Sequence, residues 1–419
     1  MHTKTVSVIG LGYIGLPTAA IFAEAGCQVI GVDISPIAVE TINRGEIHIV
    51  EPELAEVVAR NVAAGRLRAT LTPEPADAFL ITVPTPFAAE HQPDLSYVRN
   101  ATLAIAPQLK DGDLVILEST SPVGATEQVA DWIAELRPEL QVPGHSESPS
   151  IAIAYCPERV LPGKIMTELV SNDRVVGGIT PECSQQACSL YQLFLQGQCV
   201  TTNARTAEMC KLTENSFRDV NIAFANELSL ICHSLNIDVW ELIRLANHHP
   251  RVNILQPGPG VGGHCIAVDP WFIVSQSPEL ARLIRTAREV NDNKPYWVLD
   301  QVKRAVADCL MAKGKKAADI RIACFGLAFK PDIDDLRESP AMQVAYLINN
   351  WHQGETLLVE PHIQQLPTKF TGNVALVTTE QALEQADVAV LLTDHQVFKT
   401  VTTTQLSTEF VIDTRGIWS

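Results

Sequence analysis

A glycine pattern close to the start constrains the fold more than any other feature of the 419-residue sequence. The apolar segment 5–9 runs into GLGYIGLP at 10–17, which opens a segment of helical composition. A second strand-like segment, 28–32, is followed by Asp33. Glycines spaced G-x-G-x-x-G between a strand and a helix, with an acid about 20 residues on, are typical of a dinucleotide-binding βαβ unit. The sequence therefore predicts an α/β, doubly wound domain at its start.

Each glycine of this pattern has a distinct predicted task. Gly10 forms the turn, Gly12 lets a pyrophosphate approach the backbone, and Gly15 lets the helix pack on the strand. The N–H groups of Tyr13 and Ile14 then point at the phosphates from the N-terminus of the helix. The alternative is a glycine-rich turn in some other α/β sheet.

Asp33 predicts which dinucleotide is bound. A carboxylate at the end of the second strand accepts hydrogen bonds from the ribose hydroxyls of the adenosine, and it repels a 2′-phosphate. We therefore expect NAD as the cofactor in preference to NADP.

The alternation of strands and helices continues with predicted strands at 78–83, 113–118 and 151–155. Ligands of doubly wound sheets bind at the carboxyl ends of the strands, where several threonines fall in this sequence. A threonine at such a place is also a common helix cap, so both interpretations stay open. The threonines concerned are Thr85, Thr120 and Thr126.

Two polar groups follow this first set of strands. Glu158 comes directly after the strand 151–155, where it is either a general base or a member of a surface ion pair. The segment 203–237 lacks glycine and proline and predicts one long helix. On that helix Lys211 and Asn215 share a face, with Arg218 about one turn further on.

The stretch GPGVGGHCIAVDP at 258–270 contains too many glycines and prolines to be the interior of a helix or strand. It delivers Cys265, with Asp269 four residues later. Because glycines let the backbone come close to a ligand, Cys265 is a candidate nucleophile. The alternative is a buried structural cysteine, since free cysteine is among the most buried residue types. A second long helix is predicted at 278–312, with a kink or restart at Pro295.

A second α/β unit is predicted in the last quarter of the chain. Its first turn, GLAFKP at 326–331, is not a G-x-G-x-x-G pattern. Lys330, Arg337 and Arg415 are cations at predicted strand ends, which suits a phosphate-bearing ligand. The alternative is that these cations pair with neighbouring acids, namely Asp332, Asp334 and Asp335. The predicted strands are 321–327, 356–359, 374–377, 388–393 and 410–413.

Length and charge limit what the chain can do. The length predicts two or three domains, which we place at 1–200, 201–312 and 313–419. A formal net charge of −17 leaves no basic face for nucleic acid.

We expect no transmembrane helix and no signal peptide, and the ten cysteines are scattered in the manner of reduced cytoplasmic cysteines. The neighbouring His248 and His249 lack partners at metal-ligand spacing, so no metal is expected.

Taken together, these motifs resemble the UDP-glucose/GDP-mannose dehydrogenase family over essentially the whole chain. The resemblance implies two Rossmann-like doubly wound domains joined by a long-helix central domain that is the expected homodimer interface. The motifs are GLGYIGLP, STSPVG, CPERVLPG, AEMCKLTENSFRD, GGHCIAVD and GLAFKPDIDDLRESP.

The resemblance also implies a chemistry: oxidation of the C6 alcohol of a UDP-sugar to a carboxylate with two NAD⁺. Cys265 would hold the aldehyde as a thiohemiacetal and then as a thioester, and Glu158 with Thr120 would direct water at the thioester. The first base would be Lys211 or a water held by Asp269, with Lys211 and Asn215 stabilising the oxyanion. The implied substrate contacts are Arg159, Val160, Lys211, Asn215, Arg218, His249, Arg251, Gly262, Phe329, Lys330, Arg337 and Arg415.

Within the family, two departures favour an N-acetylated sugar, UDP-N-acetyl-D-mannosamine, over UDP-glucose. Val268 stands where UDP-glucose dehydrogenases typically carry a lysine, and Leu161-Pro162-Gly163 stands where they tend to have an acid. The same chemistry on UDP-glucose, UDP-N-acetylglucosamine or GDP-mannose is the nearest alternative. A non-catalytic NAD- and UDP-sugar-binding regulatory protein and a single-step β-hydroxyacid dehydrogenase are the others. The resemblance further implies that Arg251 reaches the neighbouring subunit's site, and that the product enters a polysaccharide such as enterobacterial common antigen.

Overall fold

The computed structural model describes residues 4–88, 91–161, 163–263 and 265–418. They form two compact units, Met1–Glu214 and Asn215–Ser419. The predicted domain boundaries at 200 and 312 stay predictions. The strands are β1 Thr5–Ile9, β2 Gln28–Val32, β3 Leu67–Thr70, β4 Ala78–Ile81, β5 Leu114–Leu117, β6 Ala152–Tyr155, β7 Arg174–Gly178, β8 Cys199–Asn203, β9 Arg321–Phe325, β10 Glu355–Val359, β11 Val374–Leu376, β12 Val388–Leu391 and β13 Val411–Asp413.

Helices alternate with these strands in both units. The helix α8 is 32 residues long and contains the boundary between the two units. The helices are α1 Gly15–Glu24, α2 Pro36–Asn43, α3 Leu54–Ala63, α4 Ser96–Ile105, α5 Ala125–Leu136, α6 Ile165–Ser171, α7 Pro181–Tyr191, α8 Ala204–Leu235, α9 Val239–Ala246, α10 Asp269–Gln276, α11 Arg282–Lys313, α12 Pro340–Trp351 and α13 Thr379–Gln385.

The first unit is built on an eight-stranded sheet with the order β3-β2-β1-β4-β5-β6-β7-β8. Neighbouring strands are parallel except β6 and β7, which pair antiparallel. The first six strands have the order 3-2-1-4-5-6 of the dinucleotide-binding fold. This confirms the predicted doubly wound sheet.

Helices cover both faces of the first sheet, as a parallel sheet requires. Successive side chains of β4 alternate between the two faces, so Leu80 packs in one apolar core and Phe79 and Ile81 pack in the other. The first core also contains Leu16 of α1, and the second contains Val129 of α5. The carboxyl ends of the strands are thereby held at one rigid edge.

The second unit contains a five-stranded sheet in which all neighbours are parallel, with the order β11-β10-β9-β12-β13. This is the 3-2-1-4-5 order of a second Rossmann-like sheet, as predicted. Ile322 and Cys324 of β9 face one apolar core, whereas Ala323 and Phe325 face the other.

The structure corrects the prediction for the second long helix. A separate short helix, α10, begins at Asp269, and α11 begins at Arg282 and continues through Pro295 without a restart. Proline removes the N–H that would bond to the carbonyl of Asn291, four residues earlier. A Cβ built on Gly260 would lie 3.3 Å from that carbonyl oxygen, so a glycine of the 258–270 stretch packs against the position that proline leaves open.

The prediction that every cysteine is reduced is wrong. Cys188 of α7 and Cys199 of β8, which are 11 positions apart, form a disulfide. The strands β7 and β8 were not predicted, because β7 contains Gly177 and Gly178 and β8 is polar and half exposed. In the described parts of the chain, no helix is both long enough and apolar enough to cross a bilayer.

Candidate active site

The turn between β1 and α1 needs two of its three glycines for backbone packing. Gly10 has a φ of +93°, and a Cβ on it would lie 3.0 Å from the carbonyl oxygen of Thr82. A Cβ on Gly15 would lie 1.8 Å from the Gly10 oxygen, so a side chain there would separate α1 from the sheet. A Cβ on Gly12 would meet nothing within 4 Å. Gly12 therefore borders open space in which a ligand can approach the backbone.

Asp33 stabilises the same turn from the end of β2. Its Oδ2 accepts a hydrogen bond from the Leu11 N–H at 2.9 Å, and its Oδ1 accepts one from the Ser35 N–H at 2.9 Å. Each carboxylate oxygen keeps a second lone pair for a ribose hydroxyl. Tyr13 is exposed and Ile14 is half-buried at the start of α1. These residues fit the adenosine and phosphates of NAD.

The three predicted threonines have different surroundings. The Thr85 hydroxyl donates to the carbonyl oxygen of Thr120 at 2.6 Å, so these two residues meet at the ends of β4 and β5. Thr126 is fully buried, and its hydroxyl donates to Glu208 at 2.6 Å. Glu208 also accepts from the N–H groups of Gly124 and Thr126 at 2.6 and 2.8 Å. The Glu208 carboxylate therefore accepts the N–H groups at the start of α5, and the Thr126 hydroxyl donates to the same carboxylate. The contact of Thr126 with NAD stays a prediction.

Glu158 lies beside the first turns of α8. The Lys211 ammonium donates to the carbonyl oxygen of Glu158 at 2.7 Å, and Arg159 pairs with Glu214 at 2.6 Å. Glu158 is only 9% exposed, which removes the alternative of a surface ion pair. Its Oε2 lies 3.6 Å from a guanidinium nitrogen of Arg174. The first unit thus places the Lys211 ammonium against the backbone of Glu158 at the end of β6, while the Glu158 carboxylate faces Arg174.

A buried polar cluster that the sequence did not predict lies behind Glu158. The Arg174 guanidinium lies over the Tyr191 ring at 4.4 Å from its centre, 3.5 Å from Cys156 Sγ and 3.8 Å from Glu118. The Tyr191 hydroxyl donates to Glu118 at 2.5 Å. Burial raises the pKa of Glu118 to about 7, an effect that the neighbouring Arg174 opposes. The Arg174 guanidinium therefore lies between two buried carboxyl groups, those of Glu118 and Glu158.

In the second unit, Cys265 lies in a turn that leads into α10. Its carbonyl oxygen accepts from the N–H groups of Val268 and Asp269 at 3.1 and 2.9 Å, and the residue is exposed. This exposure removes the alternative of a buried structural cysteine. Asp269 is 2% exposed, and its Oδ2 accepts from the Asn215 amide at 2.5 Å. Cys265, Asn215 and Asp269 are therefore close neighbours.

The glycines before Cys265 pack against the turn that follows β9. A Cβ on Gly262 would lie 2.7 Å from the Cβ of Phe329 and 2.7 Å from the carbonyl oxygen of Glu338. A Cβ on Gly258 would lie 2.6 Å from a guanidinium nitrogen of Arg415. The approach of Gly262 to the backbone requires glycine, whereas a side chain at position 258 would have to displace the end of the Arg415 side chain. Gly262 belongs to the loop that presents Cys265, and Phe329 and Arg415 pack against this loop. All three are predicted substrate contacts.

The remaining cations of the second unit have acidic neighbours or are exposed. Arg337 pairs with Asp335 at 2.6 Å, which is the pairing given as the alternative above. Arg415 pairs with Asp394, also at 2.6 Å, an acid that the sequence did not single out. Lys330 is exposed. The other predicted substrate contacts are Arg218, His249 and Arg251, which are exposed, and Val160, which is half-buried. Pro162 and His264 lie outside the described residues.

One group of metal-binding residue types occurs in the described parts of the chain: Asp332, His362 and His395. The Asp332 N–H donates to His395 Nδ1 at 2.9 Å, and His395 Nε2 lies 3.0 Å from Glu360. Both ring nitrogens of His395 therefore have partners, and a metal would have to displace the Asp332 N–H. The group better explains how the turn after β9 is held, because Glu360 also accepts from the N–H groups of Leu327 and Ala328 at 2.7 and 3.0 Å.

Comparison with known proteins identifies the family. Sequence models of the UDP-glucose/GDP-mannose dehydrogenase family match three segments: the NAD binding domain at residues 4–195, the central domain at 205–293 and the UDP binding domain at 323–419. The chain belongs to the UDP-glucose/GDP-mannose dehydrogenase family. This confirms the predicted resemblance, the NAD cofactor, and an NAD-dependent UDP-sugar dehydrogenase as the enzyme class.

Individual members of the family are similar over the full length. The chain is 66% identical to the UDP-N-acetyl-D-mannosamine dehydrogenase of Escherichia coli (strain K12) over 419 residues, 100% of both chains. It is 61% identical to an NDP-N-acetyl-D-galactosaminuronic acid dehydrogenase of Ralstonia nicotianae, covering 99% of this chain and 96% of the relative. A UDP-D-ManNAc dehydrogenase structure from Pyrococcus horikoshii superposes with a TM-score of 0.87 at 39% identity, covering 99% of this chain and 96% of the other.

Proposed function

We propose that the chain oxidises the C6 alcohol of UDP-N-acetyl-D-mannosamine to the carboxylate, with two NAD⁺ per sugar. The observation that carries the substrate is the 66% identity to a UDP-N-acetyl-D-mannosamine dehydrogenase over the whole chain. Val268 supports it, because the predicted UDP-glucose pattern has a lysine there. The relative at 61% identity makes a UDP-N-acetyl-D-galactosamine derivative the second candidate.

The covalent chemistry is assigned to Cys265. The alcohol is first oxidised to the aldehyde, and the Cys265 sulfur adds to the aldehyde carbon to form a thiohemiacetal, whose oxygen takes the proton. Loss of a hydride and a proton from this adduct gives a thioester, which water hydrolyses to the carboxylate and the thiol. NAD⁺, when bound, accepts one hydride in each oxidation. The exposure of Cys265 supports this role.

The roles of the proton acceptor, the oxyanion donors and the base that activates water are assigned from the resemblance to the family. Lys211 or a water held by Asp269 takes the proton of the alcohol, and Lys211 and Asn215 donate to the oxyanion of the adducts. Because the Lys211 ammonium already donates to a carbonyl oxygen, its geometry supports the donor role more directly than the base role. Glu158 activates the hydrolytic water with Thr120. Burial of Glu158 beside Arg174 supports this assignment, because a carboxylate in a fixed place can act as a base.

We propose that cations of the second unit bind the UDP moiety. Lys330, Arg337 and Arg415 neutralise the diphosphate, and Phe329 packs against Gly262 of the loop that presents Cys265. Arg337 and Arg415 exchange their partners Asp335 and Asp394 for the ligand. The other proposed contacts are Arg159, Val160, Arg218, His249 and Arg251.

We also propose a homodimer that pairs α8 with α8 of a second copy. One stripe of this helix is apolar and partly or fully exposed, with spacings of three and four residues, as in helices that pair. Its members are Phe217, Val220, Phe224, Leu228, Ile231 and Leu235. The contribution of Arg251 to the partner's site rests on the resemblance alone. Light scattering tests the interface: Phe224→Glu should give a monomer, whereas Glu227→Gln should leave the dimer intact.

The cytoplasmic location and the use of the product in a polysaccharide such as enterobacterial common antigen remain proposals from the resemblance. The disulfide provides a test of the compartment, since structural disulfides are rare in the cytoplasm. Trapping thiols in intact cells measures whether Cys188 and Cys199 form this disulfide there, and a disulfide that persists in cells would contradict the proposed cytoplasmic location.

The function is tested by counting NADH per sugar with limiting amounts of each candidate nucleotide sugar. Two NADH per UDP-N-acetyl-D-mannosamine and little from UDP-glucose are expected. One NADH per sugar would contradict the thioester route, and activity on another sugar alone would change the substrate. Cys265→Ser should lower uronate formation by about 1,000-fold or more, whereas the half-buried Cys210, changed to serine, should retain it.

A further inference from the structure

A chain of buried polar side chains connects the two long helices of the second unit to the loop that carries Cys265. The Arg288 guanidinium donates to Asp219 at 2.6 Å, and the Asn291 amide donates to the same carboxylate oxygen at 2.8 Å. The Asn226 amide donates to the Asn291 oxygen at 2.9 Å. The Gly258 N–H then donates to the Asn226 oxygen at 2.9 Å. The four side chains are each 2% exposed or less.

The direction of every bond in this chain is determined by the charged end. Asp219 has only acceptor atoms, and Asn291 also donates to its backbone oxygen at 3.1 Å, so the NH₂ group of Asn291 must face Asp219. Its oxygen must then face Asn226, which has to offer its own NH₂ group. This leaves the Asn226 oxygen for an N–H donor, and the backbone of Gly258 supplies one. An amide flip at either asparagine would place two donors or two acceptors together.

The bond at Gly258 is the first of several constraints along the loop. Gly260 packs on the Asn291 carbonyl oxygen, where a Cβ would lie 3.3 Å away, and Gly262 packs on Phe329. The loop ends at Asp269, which accepts from Asn215. Asn215 and Asn226 are 11 residues apart, which is about three turns and places both amides on the same side of α8. One helix face therefore holds both ends of the segment that presents Cys265.

We propose that Asn226, oriented by Asn291 and Asp219, is a positioning residue that determines where the thiol of Cys265 lies. It acts through its hydrogen bond to the backbone of Gly258. This rests on the proposed role of Cys265, but its test measures the thiol directly and needs no substrate.

The test compares Asn226→Leu and Asn226→Asp with the matched variant Asn221→Leu. Leucine has the branching and the number of heavy atoms of asparagine, with a larger volume, and it leaves the Gly258 N–H and the Asn291 oxygen without their Asn226 partners. Aspartate keeps the acceptor for Gly258 but places an oxygen against the Asn291 oxygen. Asn221 is half-buried on the same helix, and its amide donates to the Phe217 carbonyl oxygen of its own helix at 2.6 Å.

The first readout is the rate of Cys265 alkylation by iodoacetamide as a function of pH, followed at the Cys265 peptide by mass spectrometry. Both Asn226 variants should change this rate severalfold and shift its pH profile, and Asn221→Leu should not. In the sugar assay kcat should fall about tenfold with the KM for NAD⁺ changed less than about twofold. A wild-type alkylation profile and kcat in folded Asn226→Leu would overturn the proposal.

A second measurement keeps the proposal testable if the variants do not fold. Hydrogen exchange of the unmodified protein should show slow exchange at the Gly258 amide, as slow as at amides inside α11. Rapid exchange at Gly258 would overturn the proposal, because the last bond of the chain would then not persist. Loss of uronate formation in Cys265→Ser with unchanged alkylation in Asn226→Leu would separate the two claims, upholding the nucleophile and overturning the positioning role.

Discussion

The amide of Asn215 donates to the carboxylate of Asp269 at 2.5 Å, and this bond joins α8 to the first turn of α10. Asp269 is 2% exposed and its N–H donates to the carbonyl oxygen of Cys265, so the bond also restrains the turn that presents the thiol. A hydrogen bond to a buried carboxylate is charge-assisted and stronger than a neutral one. The pair therefore connects catalysis to the local structure of the loop.

Asn215→Ala should lower kcat for uronate formation by about tenfold to 100-fold, since a buried hydrogen bond to a charged group contributes about 1.5–3 kcal/mol. The KM for NAD⁺ should change little, because the cofactor fingerprint lies on β1 and α1. Steady-state kinetics on the UDP-sugar measures both. Asn221→Ala is the control, and a wild-type kcat in Asn215→Ala would show that the bond to Asp269 serves stability alone.

Local features of the chain were visible in the sequence. The turn after β1, the acid at Asp33 and the long helix α8 depend on residues close in sequence, so spacing alone reveals them. The same holds for the glycines around Cys265, although only the structure shows that Gly258 must be small because Arg415 lies against it.

Contacts between residues that are distant in sequence could not be predicted from the sequence alone. Tyr191 and Glu118 are 73 residues apart, and Asn226 and Asn291 are 65 apart, so no local pattern connects them. Thr126 illustrates the same limit, because Glu208, to which its hydroxyl donates, lies 82 residues away in sequence. A weak signal existed for Asn226: asparagine is a poor residue for a helix interior, which suggests a side chain retained for its contacts.

Asp33→Ser should weaken the preference for NAD over NADP by at least about tenfold in kcat/KM. The substitution removes the charge that repels a 2′-phosphate, and it also removes the acceptors of the Leu11 and Ser35 N–H groups. The KM for NAD⁺ should therefore rise as well. The measurement is kcat/KM with each cofactor, and Glu46→Ser, at an exposed acid that pairs with Arg44, is the control. An unchanged ratio would mean that Asp33 only holds the turn.

Glu118→Gln should alter how stability depends on pH. Burial raises the pKa of Glu118 to about 7, so between pH about 4.5 and 7 the folded state binds more protons than the unfolded state. The contribution of Glu118 to the free energy of unfolding should then fall by up to about 3 kcal/mol as the pH rises through this window, and the glutamine variant should lack this contribution. Urea unfolding at several pH values measures this, with the exposed Glu135→Gln as the control. Parallel curves for Glu118→Gln and the wild type would contradict a raised pKa.

Lys294→Met should remove a pH dependence of stability that has the opposite sign to that of Glu118. The ammonium of Lys294 is 3% exposed in α11 and contacts the Ser229 hydroxyl, and burial lowers its pKa from 10.5 to about 7. Between these two values the unfolded state binds more protons, so the stability of the wild type should rise as the pH increases from about 7 to about 10. Methionine removes this dependence and should be the more stable side chain near pH 7, where the wild type must either bury a charge or release a proton.

The ring of Trp297 opposes this effect, because the Lys294 nitrogen lies 4.4 Å from its centre and an aromatic face stabilises a cation. Such a contact contributes about 1–2 kcal/mol, less than the cost of burying an ammonium with one hydroxyl partner, so burial should dominate. Urea unfolding of Lys294→Met at pH 7 and pH 10 shows whether burial or the contact with the Trp297 ring has the larger effect. Lys303→Met, at an exposed lysine, is the control. If the difference between Lys294→Met and the wild type is the same at both pH values, Lys294 stays charged throughout, and the Trp297 ring rather than burial governs its protonation.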